Sequence, residues 1–550
     1  MKEKIVPALL LSILLFSCTH PEKANDYDCL YGNLEFEMPV IAKPSFPATE
    51  VSILRYGGVG DGVTLNTRAF DDAMQALSDL GGGTLTVPFG VWYTGPIVFR
   101  SNINLHLEKG ALILFSSDFD LYPLLDTSFE GLDTKRCQSP VSGRDLTNIA
   151  ITGSGAINGS GQAWRPLKRA KVTEAHWAAV VKSGGVLSSD GQTWYPSEKS
   201  RRGEMLSERN LNVPREPLSV AGWDSVKDFM RPVMVSFVRC RNVLLEGALF
   251  ENSPCWTLHP LMCENVIVDN VLVRNPPFAQ NGDGIDLESC RNSIIANSVF
   301  DVGDDAICIK SGKDEDGRRR GIPTENLIVY NCKVFNGHGG FVVGSEMSGG
   351  VRNVSVHNCQ FLGTDVGLRF KSARGRGGVV ENIFIDGIGM FDIATESLLF
   401  DLYYGGKSTV EALCDAGEKP VEAVAPEVTE KTPVFRNIHI RNLVSRNARR
   451  AMYFNGLPEM NIDSIRVEDA VVSAKTGAEI SESQHILFRN VTILPERGPA
   501  LLLNNVKDVE ISSFHTSDLP AVIQLTGTQN ARIRLPESIQ KEKIREITER

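Results

Sequence analysis

Two short acidic turns contain most of the residues whose types suggest chemistry. The turns NGDGIDLESC, from residue 281, and VGDDAICIKSG, from residue 302, supply Asp283, Asp286, Asp304 and Asp305. Carboxylates held this close together repel one another, so a fold needs a reason to keep them there. Ca²⁺ binding, general acid and base catalysis, and turn formation are the three candidate reasons.

Length and charge restrict the possible partners. A chain of 550 residues is too long for one ordinary core, so it predicts either several domains or one elongated repeat. A hydrophobic fraction of 42% with a charged fraction of 23% is typical of a soluble globular protein. The net charge of −10 argues against nucleic acid as a partner, because phosphate binding needs a basic surface. It also argues mildly against any other polyanion.

A short β-type segment recurs along the chain. Each copy has a charged residue, then Asn, then apolar and β-branched residues; the copies start at Arg241, Glu264, Arg291, Glu325, Arg352, Glu381 and Arg436. The copies follow one another at about 23 to 34 residues, with one longer gap near 405–432. Such a period indicates a solenoid, and strand content without a helical period predicts an all-β, right-handed parallel β-helix. The recurring Asn is expected to stack along the axis.

The ends of this solenoid are predicted from local patterns. The β-helix is expected over residues 48–535, with a C-terminal tail at 536–550. NTRAFDDAMQALSDLGGG, residues 66–83, places Phe70, Met74, Leu77 and Leu80 on one helical face, which predicts a capping helix over an open end. In the tail, IQKEKIREITER predicts a terminal helix.

Two insertions interrupt the repeat. Residues 165–230 are expected to form a small helical and loop insert beside the solenoid, with a helix that starts after Thr173 and ends at Gly184-Gly185. WYPSEKSRRGEM within this insert is predicted to be a surface loop. The segment 417–433 is rich in Pro, Glu and Val and is expected to be a flexible excursion.

The solenoid period brings the acidic turns together. Asp283 and Asp304 are 21 residues apart, close to one coil, and neighbouring strands lie roughly 4.7–4.9 Å apart. Asp283, Asp304 and Asp305 should therefore cluster on one face. GHGG at 337–340 falls in the next coil and RFKSARGR at 369–376 in the one after. Carboxylates, a histidine and cations should thus follow in order along one face.

This order of side chains suits cleavage of a glycosidic bond. Neighbouring carboxylates raise the pKa of at least one of them, which leaves a protonated acid beside an ionised base. One group then protonates the leaving oxygen while the other activates water. The cations beyond would hold an anionic group of the substrate, for which a guanidinium is well suited. We therefore expect an acidic polysaccharide as the substrate, bound in a locally basic groove.

Over roughly residues 50–460, the chain resembles glycoside hydrolase family 28, the polygalacturonase-like enzymes. That family's motifs N-x-D, D-D, G-H-G and R-x-K occur in order as Asn281-Gly282-Asp283, Asp304-Asp305, Gly337-His338-Gly339 and Arg369-Phe370-Lys371. The resemblance implies a right-handed parallel β-helix that hydrolyses galacturonic acid linkages in pectin with inversion. Gly282 stands where Thr is usual and Phe370 where Ile is usual, which puts the substrate subtype in question.

The resemblance also implies roles for the catalytic residues. Asp304 would be the general acid on the glycosidic oxygen. Asp283 and Asp305 would position and deprotonate the attacking water. His338 would tune or orient the acid group. No cofactor and no metal are implied.

Substrate-binding roles follow from the same resemblance. Arg369 and Lys371 would bind the galacturonate carboxylate beside the cleaved bond, and Asn281 would support the site through hydrogen bonds. Arg374 and Arg376 either contact the substrate or lie on a surface loop without contacting it, and the sequence leaves both possibilities open.

Several acidic and basic residues have simpler readings. The paired aspartates could be Ca²⁺ ligands, although the motif set disfavours this. KDEDGRRR at 313–320 is expected to be a solvated turn whose charges pair locally. Asp286 and Glu288 are assigned structural roles, with Asp286 closer to the reacting groups. Lys310 could face the same groove, but no spacing argument decides it.

Three classes of function remain open. The first is a hydrolase of pectic galacturonate, exo-acting because the insert at 165–230 and the loop near 405–432 could close one end of the groove; endo-polygalacturonase and rhamnogalacturonan hydrolase are its alternatives. The second is a Ca²⁺-dependent pectate lyase, which needs an arginine base. The third is a carbohydrate-binding β-helix without catalysis, which would not need the ordered motifs.

The N-terminus predicts export. Lys2 and Lys4 precede an apolar run from residue 5 to residue 16, followed by Cys18, as in a bacterial lipoprotein signal. Residues 1–18 are expected to be the signal peptide, with lipidation at Cys18, and 19–47 a tether. The expected location is the periplasm or outer membrane, with the membrane contacted only through the lipid anchor; the oligomeric state is not predicted.

The cysteines show no metal-binding pattern. Besides Cys18 there are ten, without any C-x-x-C pair, so a zinc site is not expected. Cys332 and Cys359 occupy the same local setting in successive repeats, YNCKVF and HNCQFL. Small apolar thiols in register predict stacked core positions rather than ligands.

Overall fold

The chain winds in successive coils of parallel strands around one apolar interior. The computed structural model describes residues 27–207, 212–214, 218–405 and 425–547. Strands pair in parallel with the strand one coil away, so that each coil adds one strand to each of three sheet faces. The fold is a parallel β-helix, which confirms the all-β solenoid predicted from the repeats.

The first face begins each repeat. Its strands are β1 (Glu50–Ser52), β2 (Gly83–Val87), β5 (Ile103–Leu107), β10 (Thr147–Gly153), β16 (Arg241–Glu246), β19 (Glu264–Asp269), β22 (Arg291–Ala296) and β25 (Thr324–Tyr330). The second face follows after a tight corner. Its strands are β3 (Gly90–Thr94), β6 (Ala111–Phe115), β11 (Ala156–Asn158), β17 (Leu249–Glu251), β20 (Leu272–Arg274), β23 (Val299–Val302) and β26 (Lys333–Asn336).

The third face completes each coil and positions the acidic turns. Its strands are β4 (Ile97–Val98), β9 (Val141–Arg144), β15 (Val235–Val238), β18 (Leu258–Leu261), β21 (Ile285–Glu288), β24 (Asp305–Lys310), β27 (Gly339–Val343) and β29 (Val366–Lys371). In the later coils the strands continue around the corners: β28 (Val351–Leu362), β30 (Val379–Asp401), β31 (Val434–Asn455) and β32 (Ile462–His515). The last strands are β33 (Ile523–Thr526), β34 (Ala531–Arg534) and β35 (Ile544–Ile547).

Helices and smaller sheets lie outside the solenoid. The α-helices are α1 (Asp28–Tyr31), α2 (Thr67–Asp79), α3 (Glu174–Lys182), α4 (Glu198–Leu206), α5 (Val220–Asp224) and α6 (Asp314–Arg320). Short 3₁₀ turns lie at Ile53–Tyr56, Phe119–Leu121, Gly161–Ala163, Arg169–Lys171, Lys227–Phe229 and Lys541–Lys543. An antiparallel hairpin joins β7 (Leu124–Phe129) to β8 (Leu132–Cys137), and β12 (Leu167–Lys168), β13 (Val186–Leu187) and β14 (Thr193–Tyr195) form a small sheet. Among the helices at 27–207, 218–405 and 425–547, none is both long enough and apolar enough to cross a membrane.

The recurring asparagines form the predicted stack. Each adopts a left-handed backbone, as at Asn292 (φ +55°), Asn326 (φ +59°) and Asn353 (φ +57°), which Asn tolerates better than most residues. Each side-chain amide donates a hydrogen bond to the carbonyl oxygen of the Asn one coil earlier. Asn326 reaches Asn292 at 3.0 Å, and Asn353 reaches Asn326 at 3.0 Å. The stack turns each coil at the same corner and sets the register of the three faces.

The interior confirms the predicted stacking of like residues. Cys332 and Cys359 are fully buried, and the nine cysteines in the described part of the chain are all free thiols. Phe370, which replaces the more usual Ile, also points inward, and its ring stacks on Phe400 with a centroid distance of 4.5 Å. Phe370 therefore changes the packing of the core and does not line the groove.

The capping helix is confirmed, with one residue misplaced. Helix α2 buries Phe70, Met74 and Leu77 against the first coil. Leu80 is 65% exposed because the helix ends at Asp79, so the prediction that Leu80 belongs to the apolar face is wrong.

Both ends of the described chain join the solenoid more closely than expected. In the segment 27–47, assigned above to a tether, Tyr27, Leu30 and Ile41 pack on the outside of the first face. The predicted terminal helix is wrong: Ile544–Ile547 is a strand that pairs with Ile523–Thr526. An unpaired strand edge at the end of the solenoid offers backbone partners to any following segment, and these outweigh weak helix propensity.

The insert is confirmed as partly helical. Helix α3 starts after Thr173, whose hydroxyl accepts a hydrogen bond from the backbone N–H of His176. WYPSEKSRRGEM is not a surface loop, because Glu198–Leu206 is a helix capped by Ser197 and packed through Gly203 on Phe229. The part of the predicted excursion at 417–424 lies outside the described residues, and 425–433 carries no strand or helix.

Candidate active site

The predicted site residues meet at one corner, where the second face turns into the third. Asp283 lies two residues before β21, Asp304 lies directly before β24, and His338 directly before β27. Asp305 opens β24 and is paired in register with Gly339, which is paired with Val366. Consecutive coils therefore place these side chains side by side, as the spacing predicted.

Asp305 is fixed by two cations from the coils beyond it. Its Oδ1 accepts a hydrogen bond from Arg369 Nη1 at 3.0 Å, and its Oδ2 accepts one from Lys371 Nζ at 2.6 Å. Burial alone would raise the pKa of Asp305, but the charges of Lys371 and Arg369 hold it well below its usual range. The two cations therefore hold Asp305 in its ionised form.

Asp304 is paired with His338. The His338 Nδ1 lies 3.1 Å from Asp304 Oδ1, and its Nε2 lies 3.7 Å from Asp365 Oδ2. The same Oδ1 of Asp304 accepts a hydrogen bond from the backbone N–H of Asp305. The hydrogen bond to Asp304 raises the pKa of His338 above its ordinary value, so the pair keeps a proton at pH values where a free imidazole loses it. Asp304 remains partly exposed, with 23% of its side chain accessible.

Asp283 is buried without a charged partner of its own. Its side chain is 3% exposed and its Oδ1 has no hydrogen-bond partner. Burial, followed by the charges of Asp286 and Asp304, raises the pKa of Asp283 well above its usual value. Two carboxylates of opposite proton affinity, Asp283 and Asp305, thus lie next to each other.

Asp283 and Asp305 are close enough for one water molecule to contact both. One oxygen of Asp283, one of Asp305 and the Sγ of Cys308 lie within 4.8 Å of one another. Because hydrogen bonds between oxygens are roughly 2.7–2.8 Å long, a single water can contact both carboxylates. Arg369 and Lys371 already neutralise Asp305, and a thiol is a poor Ca²⁺ ligand, so this donor set does not suit Ca²⁺.

The glycines around His338 have steric roles. A Cβ on Gly339 would clash with Val342 Cγ2 at 2.5 Å and crowd Arg369 Cδ at 3.3 Å, so only glycine fits between this strand and the arginine. Gly337 has φ +86°, and a Cβ there would meet the carbonyl oxygen of Asp304 at 2.8 Å. The G-H-G motif therefore lets the histidine coil approach the carboxylate coil closely.

Asn281 faces the insert. Its Oδ1 accepts a hydrogen bond from Arg231 Nη2 at 2.8 Å, and Arg231 Nη1 also donates to the carbonyl oxygen of Gln280 at 3.0 Å. Arg231 is buried and comes from the C-terminal end of the insert region. Asn281 thus ties the first acidic turn to the insert, a contact that the motif alone did not predict.

Lys310 lies beneath the carboxylates and not in the groove. Its Nζ is 2.9 Å from Glu346 Oε2 and 3.5 Å from Asp286 Oδ1, and it stands 4.5 Å above the ring centre of Trp256. Burial raises the pKa of Asp286, and the charge of Lys310 opposes this shift. Asp286 is thus a buried neighbour of the reacting groups, in agreement with the role assigned from sequence.

The segment 313–320 is not the solvated turn predicted above. It forms α6, and Arg320 Nη1 donates to the buried Glu288 at 2.7 Å. Glu288 also lies 2.9 Å from His259 Nε2. Burial would raise the pKa of Glu288, but His259 and Arg320 lower it below its usual value. Local sequence could not reveal these partners because they come from distant coils.

Arg374 and Arg376 are engaged by the protein itself. Arg374 Nε lies 2.5 Å from Glu459 Oε1, and Arg376 pairs with Asp314 at the start of α6. The sequence left open whether these arginines contact the substrate or only stabilise a loop. Their ion pairs favour the second role.

Tyr404 is a site residue that the sequence analysis missed. Lys371 Nζ lies 4.9 Å and the Arg369 guanidinium 5.6 Å from its ring centre. Its ring is 38% exposed, so an apolar surface borders the cations where a sugar could pack. Tyr404 follows β30 outside the four motifs, and only the coil register brings it to the site.

The outer side of the third face is covered in the coils before the site. The hairpin β7–β8 and the insert meet over the earlier coils, where Asn212 Nδ2 donates to Glu130 Oε1 at 2.5 Å and Arg136 Nη1 donates to the Asn212 carbonyl at 2.8 Å. Beneath them, His259 is 2% exposed. In the later coils, by contrast, the Glu479 side chain is 39% exposed. Among the described residues, the surface after the site is therefore less covered than the surface before it; residues 406–424, which follow Tyr404 in the chain and include much of the loop expected to close the groove, lie outside the described residues.

A parallel β-helix with a proton-bearing Asp–His pair beside two further carboxylates is typical of the enzymes that cleave polysaccharides by acid and base catalysis. Comparison with known proteins gives the family. The model of glycosyl hydrolases family 28 matches residues 223–418.

Relatives match over most of the chain. A hyperthermoactive exopolygalacturonase of known structure from Thermotoga maritima is 33% identical, with a TM-score of 0.66 over 82% of this chain and 93% of its own. A probable polygalacturonase from Vitis vinifera is 27% identical over 86% of this chain and 83% of its own. A family 28 exopolygalacturonase from Yersinia enterocolitica, 20% identical with a TM-score of 0.62 over 84% of this chain and 78% of its own, shares the fold. The chain belongs to glycosyl hydrolases family 28 and is an O-glycosyl hydrolase.

Proposed function

We propose that the protein hydrolyses α-linked galacturonic acid in pectic polysaccharides or oligosaccharides, with inversion and from a chain end. The observation that carries this proposal is the Asp304–His338 pair beside Asp283 and Asp305, two carboxylates that are close enough to share one water molecule. The exopolygalacturonase relative from Thermotoga maritima gives the substrate class.

The proposed reaction is a single displacement. The Asp304 carboxyl gives its proton to the glycosidic oxygen, and the bond from that oxygen to the anomeric carbon breaks. Water held between Asp283 and Asp305 attacks the opposite side of the sugar. Asp283, the more basic of the two carboxylates, takes the water proton, while Asp305 keeps its charge and orients the water. The products are a sugar with a free hydroxyl and one with inverted configuration.

Binding of the uronic acid falls mainly to Arg369. The Lys371 side chain is only 7% exposed and is occupied by Asp305, whereas the Arg369 side chain is 16% exposed and uses one nitrogen for Asp305. A guanidinium has further donors in the same plane for a substrate carboxylate. The exposed edge of Tyr404 would pack against the sugar ring beside it.

Exo action is supported by the covering of the earlier coils, where the hairpin and the insert meet. These coils would accommodate only a short chain end, while the rest of the chain would extend over the described part of the later coils. An endo enzyme needs an open groove on both sides of the cleaved bond. Rhamnogalacturonan remains the alternative backbone, since it also contains galacturonic acid.

Product analysis tests the proposal. The purified protein without residues 1–18 is incubated with oligogalacturonides and, separately, with rhamnogalacturonan fragments, in the presence of chelator, and products are resolved by mass spectrometry. We expect saturated monomer or dimer to accumulate from oligogalacturonides from the start. Products lighter by one water and dependent on Ca²⁺ would overturn hydrolysis in favour of elimination. A rapid fall in polygalacturonate viscosity before small products appear would overturn exo action.

The pH dependence should follow the two shifted groups. Asp283 must be ionised to accept a proton, and its pKa is raised, so the acid limb of kcat/KM should lie above the pH at which an ordinary Asp ionises. His338 must be protonated beside Asp304, and its pKa is raised, so the alkaline limb should lie above that of a free imidazole. In His338→Gln the alkaline ionisation of His338 should disappear from the profile. An unchanged alkaline limb in that variant would contradict the role of His338.

Export and anchoring remain proposals from the N-terminal sequence. Residues 1–26 lie outside the described residues, so both proposals rest on the sequence alone. It has basic residues first, then an apolar run, and then Cys18. We expect Cys18→Ala to release the protein from the membrane fraction while its activity is kept, as judged by fractionation and mass spectrometry of the mature N-terminus. Membrane association that persists in this variant would contradict lipidation at Cys18.

A further inference from the structure

The strongest unassigned feature is a basic hollow in the coils after the site. A cavity of about 520 Å³ lies at the corner of the later coils, and its lining includes Arg449, Arg450, Thr476, Glu479, Arg497 and Pro499. The chain as a whole has a net charge of −10, so three arginines around one hollow form a basic patch on an acidic protein. Such a patch attracts anions.

Strand register places this hollow in line with the catalytic carboxylates. Asp305 pairs with Gly339 and Gly339 with Val366. Val366 lies two residues before Leu368, which pairs with Leu398, so Val366 corresponds to Glu396 on the next coil. Glu396 pairs in turn with Arg450.

Arg450 therefore occupies the position of Asp305 four coils later, and Arg449 occupies that of Asp304. Four strand spacings amount to roughly 19 Å along the groove. The hollow lies at the same corner of the solenoid as the site, on the side that the hairpin and the insert leave uncovered.

Within the hollow, Arg450 is held in place and the other two arginines are available. Arg450 lies 3.1 Å from Glu396 and 2.7 Å from Glu479, and stacks 4.0 Å from the ring centre of Tyr453. Arg449 and Arg497 are exposed, and no carboxylate of the described residues lies within ion-pair distance of either. Arg450 thus stiffens the wall, while Arg449 and Arg497 keep unneutralised charge facing the hollow.

We propose that this hollow is a distal subsite that binds carboxylates of the same polyuronate chain several sugar units beyond the cleaved bond. The inference rests on the proposed function, since it extends that substrate along the groove. Arg369 would bind the end of the substrate chain, and Arg449 and Arg497 would bind it further along. Two linked contacts strengthen the binding of long substrates relative to short ones. Dimers and trimers are too short to reach the hollow.

The test compares substrates of two lengths. In full-length mature protein, Arg449→Ala with Arg497→Ala should raise the KM for polygalacturonate about three- to ten-fold, because two exposed charge contacts are lost. The kinetic constants for di- and trigalacturonate should not change. Arg55→Ala is the matched control, since Arg55 is an exposed arginine near the opposite end of the solenoid.

The outcomes separate this inference from the proposed function. If the unmodified protein releases galacturonate but the double variant shows the same KM ratio between long and short chains, the distal subsite is wrong and the function stands. An equal loss on both lengths would also overturn it, because the arginines would then act through the fold. A failure of the unmodified protein to cleave any galacturonide would overturn the proposed function itself.

Discussion

Asp304→Asn should lower kcat by about 10²–10⁴-fold on an oligogalacturonide, because it removes the proton donor to the glycosidic oxygen. The fold should be kept. The amide oxygen of Asn can still accept the hydrogen bond from the backbone N–H of Asp305, and the side chain is partly exposed. Steady-state kinetics and a thermal melt of the same preparation measure both effects.

The matched control for Asp304→Asn is Asp120→Asn. Asp120 has a side chain that is 98% exposed, in a 3₁₀ turn of the N-terminal half, and its substitution removes the same charge far from the site. Activity and melting temperature should both remain at the level of the unmodified protein. Near-normal turnover in Asp304→Asn would show that another group supplies the proton.

Asp305→Asn should lose both turnover and stability. The substitution takes away the carboxylate that orients the water, and it leaves the buried charges of Arg369 and Lys371 without their partner. Removing one member of a buried ion pair costs about 3–5 kcal/mol of unfolding free energy, since the remaining charge stays desolvated. Urea unfolding followed by circular dichroism should therefore show a lower midpoint, together with a loss of kcat.

Asp145→Asn provides the contrast for this second effect. Asp145 also binds an arginine through both oxygens, but Asp145 and Arg239 are 56% and 47% exposed. An exposed pair contributes at most about 1 kcal/mol, so the urea midpoint should move little. A midpoint in Asp305→Asn no lower than in Asp145→Asn would mean that the cations at the site are not held through Asp305.

The pair of predictions separates two kinds of carboxylate at one site. In the proposed mechanism Asp304 is a reacting group whose loss should affect chemistry alone, whereas Asp305 would both orient the water and anchor two buried cations. The difference arises from burial and partners, since the two residues are adjacent in the chain and identical in type.

The sequence by itself determined the architecture and the meeting of the four motifs on one face, but not the position of Tyr404. The recurring Asn segments predicted the solenoid, because an amide in the left-handed conformation at every corner requires the same residue in every coil. Once the coil period was known, the order of the acidic turns, His338 and the cations along one face followed from counting residues. The helix after Thr173 was equally local, since its cap and its end lie within a few residues of it.

Errors occurred where distant partners outweighed local pattern. The charged segment 313–320 has the composition of a solvated turn, yet it folds into a helix against buried groups such as Glu288. The residues Ile544–Ile547 have weak helix propensity but pair with an open strand edge. In both cases the deciding contacts join residues far apart in the chain, which no local pattern records.

Only the tertiary structure decided the surroundings of the three carboxylates. The spacing of the motifs did not distinguish the proton affinities of Asp283, Asp304 and Asp305, and packing made their environments different: Asp305 lies against two cations, Asp283 is buried beside other carboxylates, and Asp304 is paired with His338. Proton affinity depends on the charges and solvent around each carboxyl, and these come from several coils at once. The covering of the earlier coils was likewise set by the hairpin and the insert, which meet there through contacts between segments far apart in sequence.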